Sequence, residues 1–182
     1  YFTTIPRNSL IIYDDLMNEC GKSDEIMKLF STMVAISAIA VSSASAQSCA
    51  DGKTITAGQL TIATGNPAYF PWVLDDAPES GQGFEAAVAY AVAGEMGFEK
   101  EAVTWVRSSF DEAIQPGAKN FDFNIQQYSI TAERDKVVDF SLPYYTAAMA
   151  VLAGPSAVDT EPTLAALKDL QWGAMGSTTA VP

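Results

Sequence analysis

Histidine is absent from this chain of 182 residues, and with it go histidine-activated nucleophiles, imidazole proton shuttles and the usual zinc ligands. Most hydrolase chemistry is lost at that step. Cations are scarce: 10 Lys and Arg stand against 22 Asp and Glu, for a net charge of −12. With no basic run, this balance argues against nucleic acid or an anionic membrane surface as partner. A membrane-spanning run is missing too, since the apolar stretch from Leu29 to Ala40 is diluted by Ser31, Thr32 and Ser37 and falls short of the roughly 20 residues a bilayer requires. What the chain does have is 48% hydrophobic residues, enough to bury a core in one or two domains.

Residues 1–26 open without methionine and carry no sustained period beyond the patch at Leu10-Ile11-Ile12, so they are expected to be foreign to the native protein. At Met27 the pattern changes. Lys28 gives a short positive start, the apolar stretch follows, and Ala44-Ser45-Ala46 forms a small-residue cleavage site, so residues 27–46 read as a secretory signal peptide cut before Gln47. The upstream segment would then come from an overextended reading frame. Of the 2 cysteines, Cys20 lies in that segment and Cys49 stands near the mature N-terminus. A lipid-anchoring cysteine normally follows a leucine three residues earlier, where this chain has Ala46. A lipid anchor and a disulfide to sequence outside the chain both stay open for Cys49.

From Gln59 strands and helices alternate. Leu60-Thr61-Ile62-Ala63-Thr64 reads as a strand ended by Gly65-Asn66-Pro67, and the aromatics Tyr69, Phe70 and Trp72 follow on a loop. A loop at the carboxyl end of a strand in an open α/β sheet faces the crevice where ligands bind. Tyr69 and Trp72 are therefore expected at a ligand, and Phe70 in a core. A helix is expected over residues 84–96, with Phe84, Val88, Ala91 and Val92 as its core face. Residues 102–106 read as the second strand, and Ser109 caps a helix that starts at Phe110 and breaks at Pro116-Gly117. Asp122 to Gln126 is the next strand, delivering Gln127 to a pocket rim. Thr146 to Ala153 reads as another, Pro162 to Leu170 as a short helix, and Trp172 to Gly176 as a strand ending in Gly176-Ser177-Thr178-Thr179, where small hydroxyl residues suggest a second anion-accepting helix start.

The stretch Ser129-Ile130-Thr131-Ala132-Glu133-Arg134 surrounds one arginine. Thr131 suits a helix N-cap, and the leading N–H groups of such a turn attract an anion. A guanidinium three residues past the cap adds a planar fork matched to a carboxylate. Taken alone, an arginine between Glu133 and Asp135 reads equally as a solvated surface charge. The longer string through Val138-Asp139-Phe140-Ser141-Leu142-Pro143-Tyr144-Tyr145, together with Tyr69-Phe70-Pro71-Trp72, Gly83-Phe84-Glu85 and Phe110-Asp111, resembles the bacterial extracellular solute-binding proteins of family 3 that serve polar amino-acid ABC importers. The likeness runs from about Gln59 to Thr179.

The resemblance implies an α/β fold: a periplasmic-binding-protein-like lobe with a doubly wound sheet over residues 47–154, then a linker and the incomplete start of a second α/β lobe over 155–182. It implies that Arg134 binds a substrate α-carboxylate, that Tyr69 packs on the substrate side chain, that Asn66 reaches its polar tip, and that Phe110 forms the other wall of the side-chain slot. Trp72 and Ser129 join the ligand contacts. Thr178 would meet the carboxylate from the opposite lobe. Core packing for Phe110 and a plain N-cap for Thr178 are the alternatives. Where relatives carry glycine or a small residue whose carbonyl accepts from the substrate ammonium, this chain carries Gln127, whose amide could read a polar group or shrink the pocket.

The function so implied is capture of an amino acid or similar small zwitterion between two lobes and its delivery to a membrane permease, by a monomer in the periplasm or outside the cell. Contact with the membrane would be through the permease or a lipid anchor. No metal, organic cofactor or catalytic residue is called for. The alternatives are an exported dehydratase-type enzyme on the same scaffold, which needs an acid/base pair in the cleft, and the ligand-sensing domain of a membrane receptor.

Overall fold

The computed structural model describes residues 52–157 and 159–181, Ala50, and the backbone of residues 2–4. The signal peptide, its cleavage site, Cys20 and Cys49 lie outside the described residues. Two compact units emerge, Tyr1–Pro143 and Tyr144–Pro182.

The first unit is built on a five-stranded sheet in the order Val103–Ser108 (β3), Leu60–Gly65 (β2), Phe123–Ile125 (β4), Phe2–Thr4 (β1) and Asp139–Phe140 (β5). Strand β2, Leu60–Gly65, lies inside it, paired in parallel with β3, Val103–Ser108, on one side and with β4, Phe123–Ile125, on the other. All six residues of β2 are buried, as a strand covered on both faces requires, which is why its sequence is a run and not an alternation. Asp122 fastens the entry to these strands: its two carboxylate oxygens accept from the main-chain N–H groups of Ile55 at 2.7 Å and Thr61 at 2.6 Å. Burial raises the pKa of Asp122 from its ordinary value, and the two amide donors partly oppose that shift. Strand β1, Phe2–Thr4, drawn from the segment expected to be foreign to the fold, pairs antiparallel with both β4 and β5, Asp139–Phe140.

Helix α1, Phe84–Glu95, covers the expected span but turns a different face inward. Ala86, Ala89 and Ala93 are buried, whereas Phe84 is 39% exposed and Ala91 lies open, so the expected core face is corrected. Nearly every position of this helix is apolar, and the sequence pattern therefore carries little information about its rotation. Ala86 packs with Ala68 and Val73, which brings the helix start close under the aromatic loop. Gly83 permits that approach: at φ 103, a Cβ there would lie 2.5 Å from the Trp72 carbonyl oxygen.

Helix α2, Phe110–Ile114, begins in a capping box. Ser109 Oγ accepts from the Glu112 N–H at 3.2 Å while the Glu112 carboxylate accepts from the Ser109 N–H at 3.4 Å. Lys119 Nζ donates to the carbonyls of Glu112 and Gln115, both at 2.6 Å, closing the helix before Pro116 and Gly117. Ala113 joins Ala63, Phe121 and Tyr128 in a buried cluster, with Val106, Phe110, Ile114 and Phe140 packed around it.

In the second unit, helix α3, Leu164–Lys168, forms within the expected span, capped by Thr163 Oγ1, which accepts from Ala166 N–H at 3.2 Å. The strands expected over residues 146–153 and 172–176 do not form: those residues are extended or irregular and carry no ladder among the described residues. Leu152 is 98% exposed there and Met149 74%.

Candidate functional site

Three neighbouring parallel strands end at one edge of the sheet, with Gly65 of β2 in register with Ser108 of β3 and Ala63 of β2 in register with Asn124 of β4. Their exits are the loop 66–72, the start of α2 at Phe110, and the stretch 126–134. The carboxyl edge of an open parallel sheet is where side chains from separate loops meet a ligand.

Arg134, Tyr128 and Phe110 form the best defined part of this edge. Tyr128 is fully buried, and its hydroxyl donates to the Phe110 carbonyl. The two rings lie 4.1 Å apart between centroids. The Arg134 guanidinium stands over both, 5.4 Å from the Phe110 ring and 5.6 Å from Tyr128, and its Nη1 donates to the Ser129 carbonyl at 2.9 Å. So held, the guanidinium is half-buried on an aromatic shelf, not a swinging surface charge. Burial lowers the Arg134 pKa, with Tyr128 acting in the opposite sense, and burial raises that of Tyr128, which stays a neutral donor. Thr131 Oγ1 accepts from Arg134 N–H at 3.2 Å, but the turn that follows is a single 3-10 turn over Arg134–Lys136 whose N-cap position is Glu133, so the expected N-cap at Thr131 is corrected to a bond just ahead of the turn.

The loop 66–72 is fixed from below and from the side. The first N–H groups of α1 donate to its carbonyls, Phe84 to Pro71 at 3.1 Å and Glu85 to Trp72 at 2.9 Å. Trp72 is half-buried edge-on against Phe84 at 5.9 Å, while Tyr69 is 56% exposed and Asn66 open to solvent. Phe70, expected in a core, is 79% exposed; the chain leaves its ring outside because the buried positions beneath the loop are taken by Ala68 and Val73. Arg107 supplies the lateral tie. Its Nη1 donates to the Gly65 carbonyl at 2.9 Å and to Asp76 Oδ1 at 2.6 Å, and its Nη2 donates to the Asp76 carbonyl. Asp76 Oδ1 in turn accepts from Ala68 N–H at 2.8 Å. That bond, followed by Arg107 and against some desolvation, lowers the Asp76 pKa.

Gln127 projects at the exit of β4, exposed and in the left-handed region at φ 51. Glycine adopts this conformation freely, whereas a residue with a Cβ needs support from its surroundings. Its main-chain N–H donates to Glu85 Oε1 at 2.9 Å, and its side-chain amide donates to Glu85 Oε2. Of the expected site residues, Phe110, Ser129 and Arg134 come together directly, and Gln127 and Trp72 are joined through Glu85. Thr178 lies in the second unit, in a turn where its hydroxyl donates to the Met175 carbonyl at 2.7 Å and accepts from Ala180 N–H at 3.3 Å; no helix starts there.

Sequence reasoning missed Tyr128, Glu85, Arg107 and Asp76. Glu85 carried a signal, an acid in the first turn of a helix whose next nine positions hold no charge. Arg107 and Asp76 carried none, since nothing local relates a strand-end arginine to an acid 31 positions away.

The model of one family, described as bacterial extracellular solute-binding proteins, family 3, matches residues 60–163, more than half of the chain. No curated protein and no solved structure matches it.

Proposed function

We propose that this chain, which belongs to the bacterial extracellular solute-binding proteins of family 3, takes as its ligand an amino acid or similar zwitterion that it delivers to an ABC permease without catalysing a reaction on it. The observation that carries this reading is the Arg134 shelf. A guanidinium held over Phe110 and Tyr128 by the Ser129 carbonyl is oriented before any ligand arrives, so little side-chain entropy is lost when a carboxylate docks on it. In this reading Tyr69 and Phe110 flank the ligand side chain, Asn66 and Trp72 border it from the loop, and Gln127 meets a polar group. Thr178 contributes from the second lobe, and closure of the two lobes commits the ligand. Export through the leader over residues 27–46 accompanies it, and N-terminal sequencing of secreted protein should begin at Gln47.

Calorimetric titration of the twenty standard L-amino acids, each beside its carboxamide, tests the ligand class. Conversion of the ligand carboxylate to an amide removes charge-assisted bonds worth roughly 1.5–3 kcal/mol, so the best ligand should lose about one to two decades in affinity. Equal binding of acid and amide would contradict the carboxylate role.

A further inference from the structure

Glu85 has no place in the ligand contacts described so far, yet it is wholly buried at the edge of the site. It stands in the first turn of α1, where the positive end of the helix favours a carboxylate. Both of its oxygens accept from a single residue, Oε1 from the Gln127 main-chain N–H at 2.9 Å and Oε2 from the Gln127 side-chain amide. A carboxylate accepts and does not donate, so the Gln127 amide must turn its nitrogen toward Glu85. Its carbonyl oxygen is then the atom left to face outward. The same two bonds hold Gln127 at φ 51, a conformation that a residue with a Cβ keeps only when its surroundings enforce it. One end of the pair is sealed and the other is exposed.

We propose that Glu85 is a specificity-determining positioning residue: by anchoring the Gln127 amide through its nitrogen, it presents a carbonyl oxygen to the ligand, selecting an N–H donor there and rejecting a carboxylate. The inference rests on the ligand-capture reading above and narrows it to ligands with an ammonium or amide at that point. An acid placed against this oxygen would meet a fixed acceptor and lose its water without a replacement bond.

The test uses L-asparagine, L-glutamine, L-aspartate and L-glutamate as probes, with 15N spectra of the unliganded chain. In the parent, the Gln127 side-chain amide protons should be shifted and slow to exchange, and the amides should bind better than the acids by roughly tenfold or more. Glu85→Gln should release the amide signal and remove or reverse that preference: its Oε1 still accepts from the Gln127 main-chain N–H, so its amide nitrogen faces the Gln127 side chain and turns that side chain's nitrogen outward. The double variant Glu85→Gln with Gln127→Glu exchanges the two roles, with a donor at 85 and an acceptor at 127, leaves a carboxylate oxygen facing outward, and should restore the preference. Gln127→Ala, on the exposed side, should erase it without unfolding the chain. A parent whose Gln127 amide exchanges freely, or a Glu85→Gln variant with the parent's preference, overturns the proposal. If the parent shows the anchored amide but binds none of the four probes, or binds them with no dependence on Glu85, this inference alone fails; if it binds none of the twenty standard amino acids, the ligand-capture reading fails and this inference falls with it.

Discussion

The unit that ends at Pro143 and the unit that begins at Tyr144 are written in similar residues and end in different states. In the first, the run Leu60–Gly65 is buried along its whole length because parallel partners satisfy its main chain on both sides. In the second, the run Ala147-Ala148-Met149-Ala150-Val151-Leu152 is at least as apolar, yet it forms no ladder among the described residues and Leu152 is almost wholly exposed. Apolar character makes a strand possible, and only a neighbour that supplies hydrogen bonds and a covered face makes it form. The same contrast extends to helix ends. Ser109 and Thr163 cap their helices alike, but α2 buries Ala113 in a core and α3 buries none of its residues.

Substitutions that differ only in which unit they strike sharpen this comparison. Tyr128→Ala opens a cavity in the first unit's core and should cost about 3–5 kcal/mol in a denaturant melt, whereas Leu164→Ala, at an exposed position of α3, should stay within about 0.5 kcal/mol. A large cost at Leu164 would mean that the second unit is packed in solution. Next in size are the caps: Ser109→Ala should lower stability by about 1 kcal/mol, and Thr163→Ala should reduce helical signal without shifting the main melt.

Acid titration offers a smaller effect with opposing signs inside the first unit. Asp76 has a lowered pKa when folded, so its contribution is present above the ordinary carboxylate value and is lost as pH falls through the depressed one. Asp122 has a raised pKa, binds its proton more tightly when folded, and so favours the fold less as pH climbs from the ordinary value through the raised one. Melting curves of Asp76→Asn should therefore show less destabilisation on acidification than the parent. A steeper acid limb in that variant would contradict the assignment. Smallest of all is the Arg107–Asp76 pair, partly exposed at 31% and 49%, for which a double-mutant cycle should return about 0–1 kcal/mol of coupling.

Much of the first unit was legible in the sequence because local signals and tertiary partners agree there. The spans of β2, β3, α1 and α2 follow from apolar runs punctuated by Gly65, the Ser109 cap and Pro116-Gly117. The rotation of α1 was not legible, since a helix apolar on every side gives its periodicity no phase, and burial went to the small Ala86, Ala89 and Ala93. Phe70 shows the converse, a large apolar ring left in water because smaller neighbours fill the space below. At the site, Arg134 could be singled out from its own string of residues. The shelf beneath it could not, because it depends on Tyr128 and Phe110 meeting across 18 positions of chain. The second unit's strands were misread for want of partners that no local pattern reveals.

Arg134 carries the central claim, and titration of the best amino-acid ligand into Arg134→Ala and Arg134→Lys tests it most directly. Removing one partner of a buried ion pair costs roughly 3–5 kcal/mol, or about two to four decades in affinity, so Arg134→Ala should nearly abolish binding. Lysine keeps the charge but loses the planar fork, and should recover only part of the affinity. If Arg134→Ala binds that ligand within a fewfold of the parent, the guanidinium is a structural plug on its aromatic shelf and the carboxylate docks elsewhere.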